Sequence, residues 1–373
     1  MTSNWVKSTL GELSIGGRGY YGIGASAVPY SAELYTYLRI TDINDDGTLN
    51  MSDLKSVSDE KATDYLLKPN DIVFARTGAS TGRNYFYDGT DGEFVFAGFL
   101  IKFSLDPKKV NPRYIKYYCI SKDYRDWVAA FNTGSTRGNI NAQTLASMPI
   151  SLPDRAIQNR IVKVLDAIEE KRKSNAKIND NLQQQAHAIY VSMFITNADP
   201  SWQQGHLSDL VIVKYGKDHK KLADGNYPVY GSGGIMRYVE CPLYDQESVL
   251  IPRKGTLNNV IYVNQPFWSV DTMFYTEMRL PNVAKFVYHF VKSKDLASMN
   301  AGSAVPSMTT DILNAMEVVI PSAAALEEFE RIVSPMYKEM QENDKQSTAL
   351  GTLRDILLPK LMSGEIDVSS IQL

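Results

Sequence analysis

The sequence predicts an α+β protein: two related globules and a pair of long antiparallel α-helices, arranged as a pseudo-twofold internal repeat. Three observations carry this. Two stretches, Leu152 to Phe194 and Pro321 to Gly364, place apolar residues at helical spacing. The segment before each reads as short strands and turns. Matching pieces also recur: Asn132-Thr-Gly134-Ser135 answers Asn300-Ala-Gly302-Ser303, and Met148 to Pro153 answers Met316 to Pro321, both 168 residues on.

Taken in order, Trp5 to Ile15 gives a strand or short turn, broken by Gly16-Gly17-Arg18-Gly19. Leu34 to Ile40, Ile72 to Arg76, Asn84 to Tyr87 and Phe94 to Phe103 are short and rich in β-branched and aromatic residues, so they read as strands. Thr77 to Gly82 is a tight turn. Pro112 to Phe131 reads as a helix, residues 132–139 as a polar loop, and Leu145 to Leu152 as the last strand. No Gly or Pro then occurs between Pro153 and Pro200. Ile157, Ile161, Val164, Ile168, Ile178, Leu182, Ile189 and Met193 form one helical stripe, and Asp154 can cap its start. Such a helix is roughly 60 Å long at about 1.5 Å per residue, too long to hide within one small domain. Lys171, Asn175 and Gln185 fall on its seam, where a buried Asn fixes register at some cost in stability.

The second globule repeats the order. Trp202 and Leu207 to Leu210 answer Trp5 and Leu10 to Leu13, and Ser248 to Gly255 answers Asp71 to Gly78. The terminal helix carries Leu326, Phe329, Ile332, Val333, Met336 and Met340, then Leu350, Leu353, Ile356, Leu357 and Leu361, ending at Gly364. Its Arg331-Ile-Val333 matches Arg160-Ile-Val162. The expected division is 1–151, 152–198, 199–321 and 322–373. Two copies of a unit that ends in a long helix pack simply, the helices antiparallel and the globules at opposite ends. Two similar heads a fixed distance apart suit an elongated two-part target such as duplex DNA. A coiled-coil scaffold without DNA is the plainer alternative.

Composition narrows the class. The length of 373 residues suggests two or three domains, and no run of eighteen apolar residues marks a membrane span. Cys119 and Cys241 stand alone, with neither metal-ligand spacing nor a disulfide framework. The N-terminus lacks the basic and apolar regions of a signal peptide, so a cytoplasmic protein is expected. Net charge is −3, and the globules hold 16 basic and 16 acidic residues (1–150) and 11 of each (200–321). DNA binding therefore needs local basic faces or a partner that brings charge.

Enzyme motifs are weak. Tyr20-Tyr-Gly22-Ile-Gly24 and Asn111-Pro112-Arg113-Tyr114 approach the cofactor loop and the Asn-Pro-Pro-Tyr of a DNA adenine methyltransferase. Yet no convincing strand precedes Tyr20, and Asn111 with Pro112 reads as a helix start. No phosphate-cradling Gly-x-x-x-x-Gly-Lys-Ser/Thr occurs, and His187, His206, His219 and His289 form no metal-ligand pattern.

Leu353 to Val368 (LRDILLPKLMSGEIDV), Leu152-Pro153 leading into Gln158 to Val162, Val229 to Ile235 and Gln265 to Asp271 resemble patterns of one family: the specificity subunits of type I restriction–modification enzymes. The family commonly places Glu-Gln after the proline segment, where this chain has Ile157-Gln158 and Glu328-Phe329. The resemblance implies two target recognition domains, each reading half of a split sequence in double-stranded DNA. It implies helices that act as spacers and dock two modification subunits, with restriction subunits joining through the complex. It also implies a non-catalytic chain without cofactors of its own, S-adenosylmethionine, ATP and Mg residing on the partners.

The candidate reading residues are the Arg-x-Gly turns at Arg76 and Arg253, since Arg grips guanine or phosphate with two hydrogen bonds; the alternative is a strand-end Arg paired with a carboxylate. Thr77, Gly78, Ser80, Thr81 and Arg83 surround the first, and Lys254, Asn258 and Asn259 the second. Ser135, Thr136, Arg137 and Ser303 lie on the recurring loops. Tyr230, Gly231, Ser232 and Gly233 either bring backbone amides near a phosphate or simply turn between strands.

Overall fold

The computed structural model describes residues 5–131, 138–299 and 307–368. It divides into two compact units, Met1–Lys173 with Gln346–Leu373, and Ser174–Lys345. Each contains one head and a part of each long helix.

In the first unit, an antiparallel sheet runs in the order Tyr20–Tyr21, Leu100–Ser104, Asp71–Ala75, Asn84–Tyr87. A second sheet takes Ala27–Pro29, Lys55–Val57, Tyr35–Leu38 and Phe94–Phe96. The expected strand Phe94 to Phe103 is thus two strands in two sheets, parted by a turn in which the Leu100 amide donates to the Ala97 carbonyl at 2.8 Å. The expected helix Pro112 to Phe131 is also two, Pro112–Tyr118 and Lys122–Ala129, because Ser121 leaves the helix to cap the second with its hydroxyl. Before the last strand, Asn141 caps a further short helix, Ala142–Ala146, so the strand itself is only Pro149–Leu152. That strand pairs with Val6–Thr9 and hands the chain to the first long helix.

The second unit repeats the main sheet as Val211–Tyr215, Met273–Met278, Ser248–Pro252, Ile261–Val263. Gln203–His206 pairs with Glu317–Ile320 as Val6–Thr9 does with Pro149–Leu152. In place of the second sheet stands the hairpin Asp224–Gly231 and Gly234–Val239, with Trp268–Ser269 beside it.

The long helices are Arg155–Val191 and Ala323–Met362. The Asp154 carboxylate caps the first, accepting the Ile157 amide at 2.9 Å. In the first unit Ile161, Val162 and Leu165 pack with Leu358, Leu361 and Met362 in one core with the head. In the second, Ala186, Tyr190 and Phe194 pack with Leu326, Phe329, Val333 and Tyr337. The start of one helix meets the end of the other, so the pair is antiparallel, as the repeat requires.

Asn175 is fully buried, and its Nδ2 donates to the Asn343 carbonyl at 3.2 Å. Asn343 in turn donates to Asn179 at 2.9 Å. The two asparagines are 168 residues apart, the offset that relates the two loops and the prolines Pro153 and Pro321 before the helices, so by that offset equivalent positions meet each other here. The expected register device at Asn175 is present, whereas Lys171 and Gln185 are exposed. A helix of 3.6 residues per turn carries position 185 about 80° round from 175, off the seam. Lys171 lies at the seam's edge, where its long stem lets the ammonium reach water.

Candidate nucleic-acid interface

Residues opposite one another in an antiparallel sheet share a face, as do residues two apart on a strand. In the first head Ile101 pairs with Phe74 on one side and Tyr21 on the other. Arg76 lies two residues beyond Phe74, and its amide donates to the Phe99 carbonyl at 3.1 Å. Tyr21, Phe74, Ile101 and Arg76 thus form one row, and Phe99 lies in the turn at its end. Phe74 and Ile101 fill the core, while Tyr21 and Phe99 emerge into solvent at its end. There the Arg76 guanidinium lies over the Tyr21 ring, 5.1 Å from its centroid.

The second head builds the same row from Tyr215, Phe274 and Ile251. The Arg253 amide donates to the Thr272 carbonyl at 2.9 Å, and its guanidinium lies 5.4 Å from the Tyr215 ring centroid. The backbone that holds each tyrosine and arginine repeats its main bonds. Gly22 and Gly216, each following its tyrosine, donate to the carbonyls of Leu100 and Met273 at 3.2 and 3.0 Å. A Cβ on either would stand 2.2 or 2.1 Å from a backbone oxygen, of Ala97 or Val270, so only glycine fits. Gly78 and Gly255 turn the chain after each arginine with φ of 74° and 85°. The carbonyls of Arg76 and Arg253 accept the amides of Ile140 and Met308, both at 2.9 Å.

Among the described residues, no ion pair engages Arg76 or Arg253. Among the described residues the buried Nε of Arg76 meets no hydrogen-bond partner, and the Arg253 guanidinium reaches the Asp271 carbonyl, at 3.3 Å. A guanidinium stacked on an aromatic ring and free of carboxylates keeps its donor fork available for a base edge or a phosphate. The strand-end pairing considered for these arginines is found instead at Arg83, held by Asp45 at 2.7 Å.

The other candidates divide. Thr77 and Lys254 stand beside the arginines, bridged to Asn139 and Ser307. Ser80 and Thr81 are buried, and the Thr81 hydroxyl lies 2.8 and 2.9 Å from the carbonyls of Gly78 and Gly138, bracing the turn. Asn258 binds the Asp295 carboxylate and the Ala297 amide, and Asn259 donates to the Ser232 carbonyl at 2.8 Å. These asparagines shape the Arg253 loop from within. Tyr230 is a core residue against Phe267. Gly231 ends a strand, and Ser232 and Gly233 form the two-residue turn of the hairpin, so the strand-turn alternative is the one built. Ser135, Thr136, Arg137 and Ser303 lie outside the described residues.

Sequence reasoning missed Tyr21 and Tyr215. The signal was present, a Tyr-Gly pair in both copies, but Tyr20-Tyr-Gly22 drew notice only for its likeness to a cofactor loop. The structure makes Tyr20–Tyr21 an antiparallel edge strand, without the parallel strand that loop needs. Asn111 is a helix cap accepting the Arg113 amide at 3.0 Å, with Pro112 opening the helix. Among the described residues there is no cluster of three metal-ligating side chains, and no helix is long and apolar enough to cross a membrane.

The family model for the type I restriction modification DNA specificity domain matches residues 2–184 and again 201–348. The chain belongs to this family. As a specificity subunit of a type I restriction–modification system, it recognises DNA sequence, and its two matched regions are the two halves of the internal repeat. It is 20% identical to the MjaIX specificity subunit of Methanocaldococcus jannaschii, over 70% of this chain and 71% of that one. It is likewise 20% identical to the HindI specificity subunit of Haemophilus influenzae, over 98% and 100%. The crystal structure of the type I S subunit from M. genitalium superposes with a TM-score of 0.56 at 20% identity, covering 96% of each chain, and so shares the fold.

Proposed function

We propose that each head reads one half of a bipartite DNA target, with Arg76 and Arg253 as the paired reading residues. One observation carries this: the same arginine–tyrosine couple, free of carboxylates, stands at the same sheet end in both heads. A scaffold without DNA would have no use for it. The long helices set the unread gap and dock two modification subunits, and restriction subunits join through that complex. Leu353 and Ile356 remain exposed on the second helix, within the segment that carries the family's terminal pattern. Methylation and cleavage, with S-adenosylmethionine, ATP and Mg, belong to the partners, and this chain is non-catalytic. Its place is with the DNA it reads, in the cytoplasm.

Because the heads carry balanced charge, the isolated chain binds DNA weakly, and modification subunits tighten binding and steepen its salt dependence. Mapping methylated adenines in a host that carries the whole system tests the central reading. The expected motif has two defined halves separated by a fixed unread gap, and replacing 199–321 by the equivalent region of another specificity subunit changes one half only. A continuous motif, or a change in both halves, contradicts the proposal.

A further inference from the structure

Beside the row that ends in Arg76 stands one more exposed side chain. Phe99 is 57% exposed, a large apolar surface left in water. The turn it occupies does not need an aromatic residue, for it is closed by backbone, Leu100 amide to Ala97 carbonyl. The second head makes the same turn with the Met273 amide and the Val270 carbonyl, and has Thr272 in place of Phe99. Phe99 lies in the turn just beyond the last sheet pair, Ala75 with Leu100, and its carbonyl accepts the Arg76 amide at 3.1 Å, so the two residues are backbone neighbours at this sheet end. Residues joined by such a backbone bond stand about 5.5 Å apart at Cα, against a rise of about 3.4 Å per base pair. A base edge met by Arg76 therefore places an adjacent base pair within reach of Phe99.

A phenyl ring has no donor or acceptor with which to read polar base edges. The apolar group that a base pair offers in the major groove is the 5-methyl of thymine. We infer that Phe99 is a specificity residue of the first head, reading a thymine 5-methyl beside the base pair engaged by Arg76. This rests on the reading of Arg76 and Arg253 proposed above. It assigns the heads different preferences at this position, since Thr272 offers a hydroxyl and one methyl where Phe99 offers a ring.

The test uses the full chain with its modification subunits and duplexes that this complex selects from a random pool. The first half is the one whose preference Arg76→Ala relaxes. Each thymine there is replaced singly by uracil, which lacks only the methyl group. One replacement is expected to weaken binding about fourfold, the worth of one buried methyl. Phe99→Ala is expected to weaken binding to the thymine duplex and to abolish the thymine–uracil difference, leaving the second half unchanged. An unchanged affinity of Phe99→Ala overturns the inference. So does a thymine–uracil difference that persists in that variant, or a first half in which no thymine on either strand shows one. A pool that yields no base preference at all sinks the DNA-reading proposal instead, a result distinct from the failure of Phe99.

Discussion

The two heads agree where they face outward and differ where they meet the long helices. Outward, each presents an arginine over a tyrosine, at 5.1 and 5.4 Å, on a backbone that repeats the bonds holding both residues. At the helices, the first head uses Arg113, partly exposed and paired with Asp166 at 2.7 Å, while the Tyr117 hydroxyl donates to the same carboxylate. The second uses Lys285, whose side chain is only 4% exposed, held between Glu330 at 2.6 Å and Glu247 at 3.0 Å. The rings of Tyr262 and Tyr337 cover it, 5.2 and 5.7 Å from its nitrogen. Holding a head to its helix needs only opposite charges brought together there, which different side chains supply. Reading needs an arginine held at one angle to the sheet, which the backbone fixes and the repeat preserves.

The largest expected contrast is between the docking pairs. Removing one partner of a buried pair leaves an uncompensated charge, so Lys285→Ala should cost about 3 kcal/mol of unfolding free energy. Arg113→Ala, at a more solvated pair, should cost about 1 kcal/mol. Denaturant titration measures both, and equal losses would erase the distinction. Next come the close approaches: Gly22→Ala and Gly216→Ala each force a Cβ onto a carbonyl and should cost about 1–3 kcal/mol. Here the heads should respond alike, and a tolerated substitution in either shows that its tyrosine is not held this way.

A pH effect should separate the heads again, since all four histidines lie in the second unit. Burial, helped by nearby His187 and Lys292, holds the His289 imidazole down from its ordinary 6.5 to about 3. Its Nε2 lies 2.9 Å from the Tyr337 hydroxyl. The unfolded chain takes a proton near pH 6.5 and the folded one does not, so stability falls as pH drops from about 6.5 toward 3. The slope from this group is at most about 1.4 kcal/mol per pH unit. His289→Gln should flatten it in thermal unfolding followed across that range, and an unchanged slope would mean that other groups carry the effect. The smallest contrast is at the reading end: Tyr21→Ala and Tyr215→Ala each remove a cation–π contact worth about 0.5–1 kcal/mol at an exposed site. A twofold to fivefold loss of DNA affinity by the complex is expected from each, and no loss would mean that the ring does not orient the arginine.

What was legible in the sequence was periodic or repeated. The long helices announced themselves through Ile157, Ile161 and Ile168, and the duplication through offsets such as Met148 to Met316. Arg76 and Arg253 stood out because each begins an Arg-x-Gly turn. Tyr21 was hidden because its partnership with Arg76 runs across two strand pairings and spans 55 positions of sequence, which no local pattern encodes. The break at Ser121 was lost in a run of helix-forming residues, since a serine reads equally as interior or cap until its hydroxyl finds the Tyr124 amide. Asn258 and Asn259 looked like DNA contacts because the same short amides that suit a base edge also brace a loop.

The most direct test of the account is the sequence preference of the complex with Arg76→Ala, with Arg253→Ala and with neither, determined by selection from randomised duplex DNA. A direct base contact is worth roughly 1–3 kcal/mol, a discrimination of about 5-fold to 160-fold. The account predicts that Arg76→Ala relaxes one half of the bipartite target at a defined position and leaves the other intact, and that Arg253→Ala does the reverse. Loss of preference in both halves from either substitution, or a uniform loss of affinity on every sequence, would contradict it.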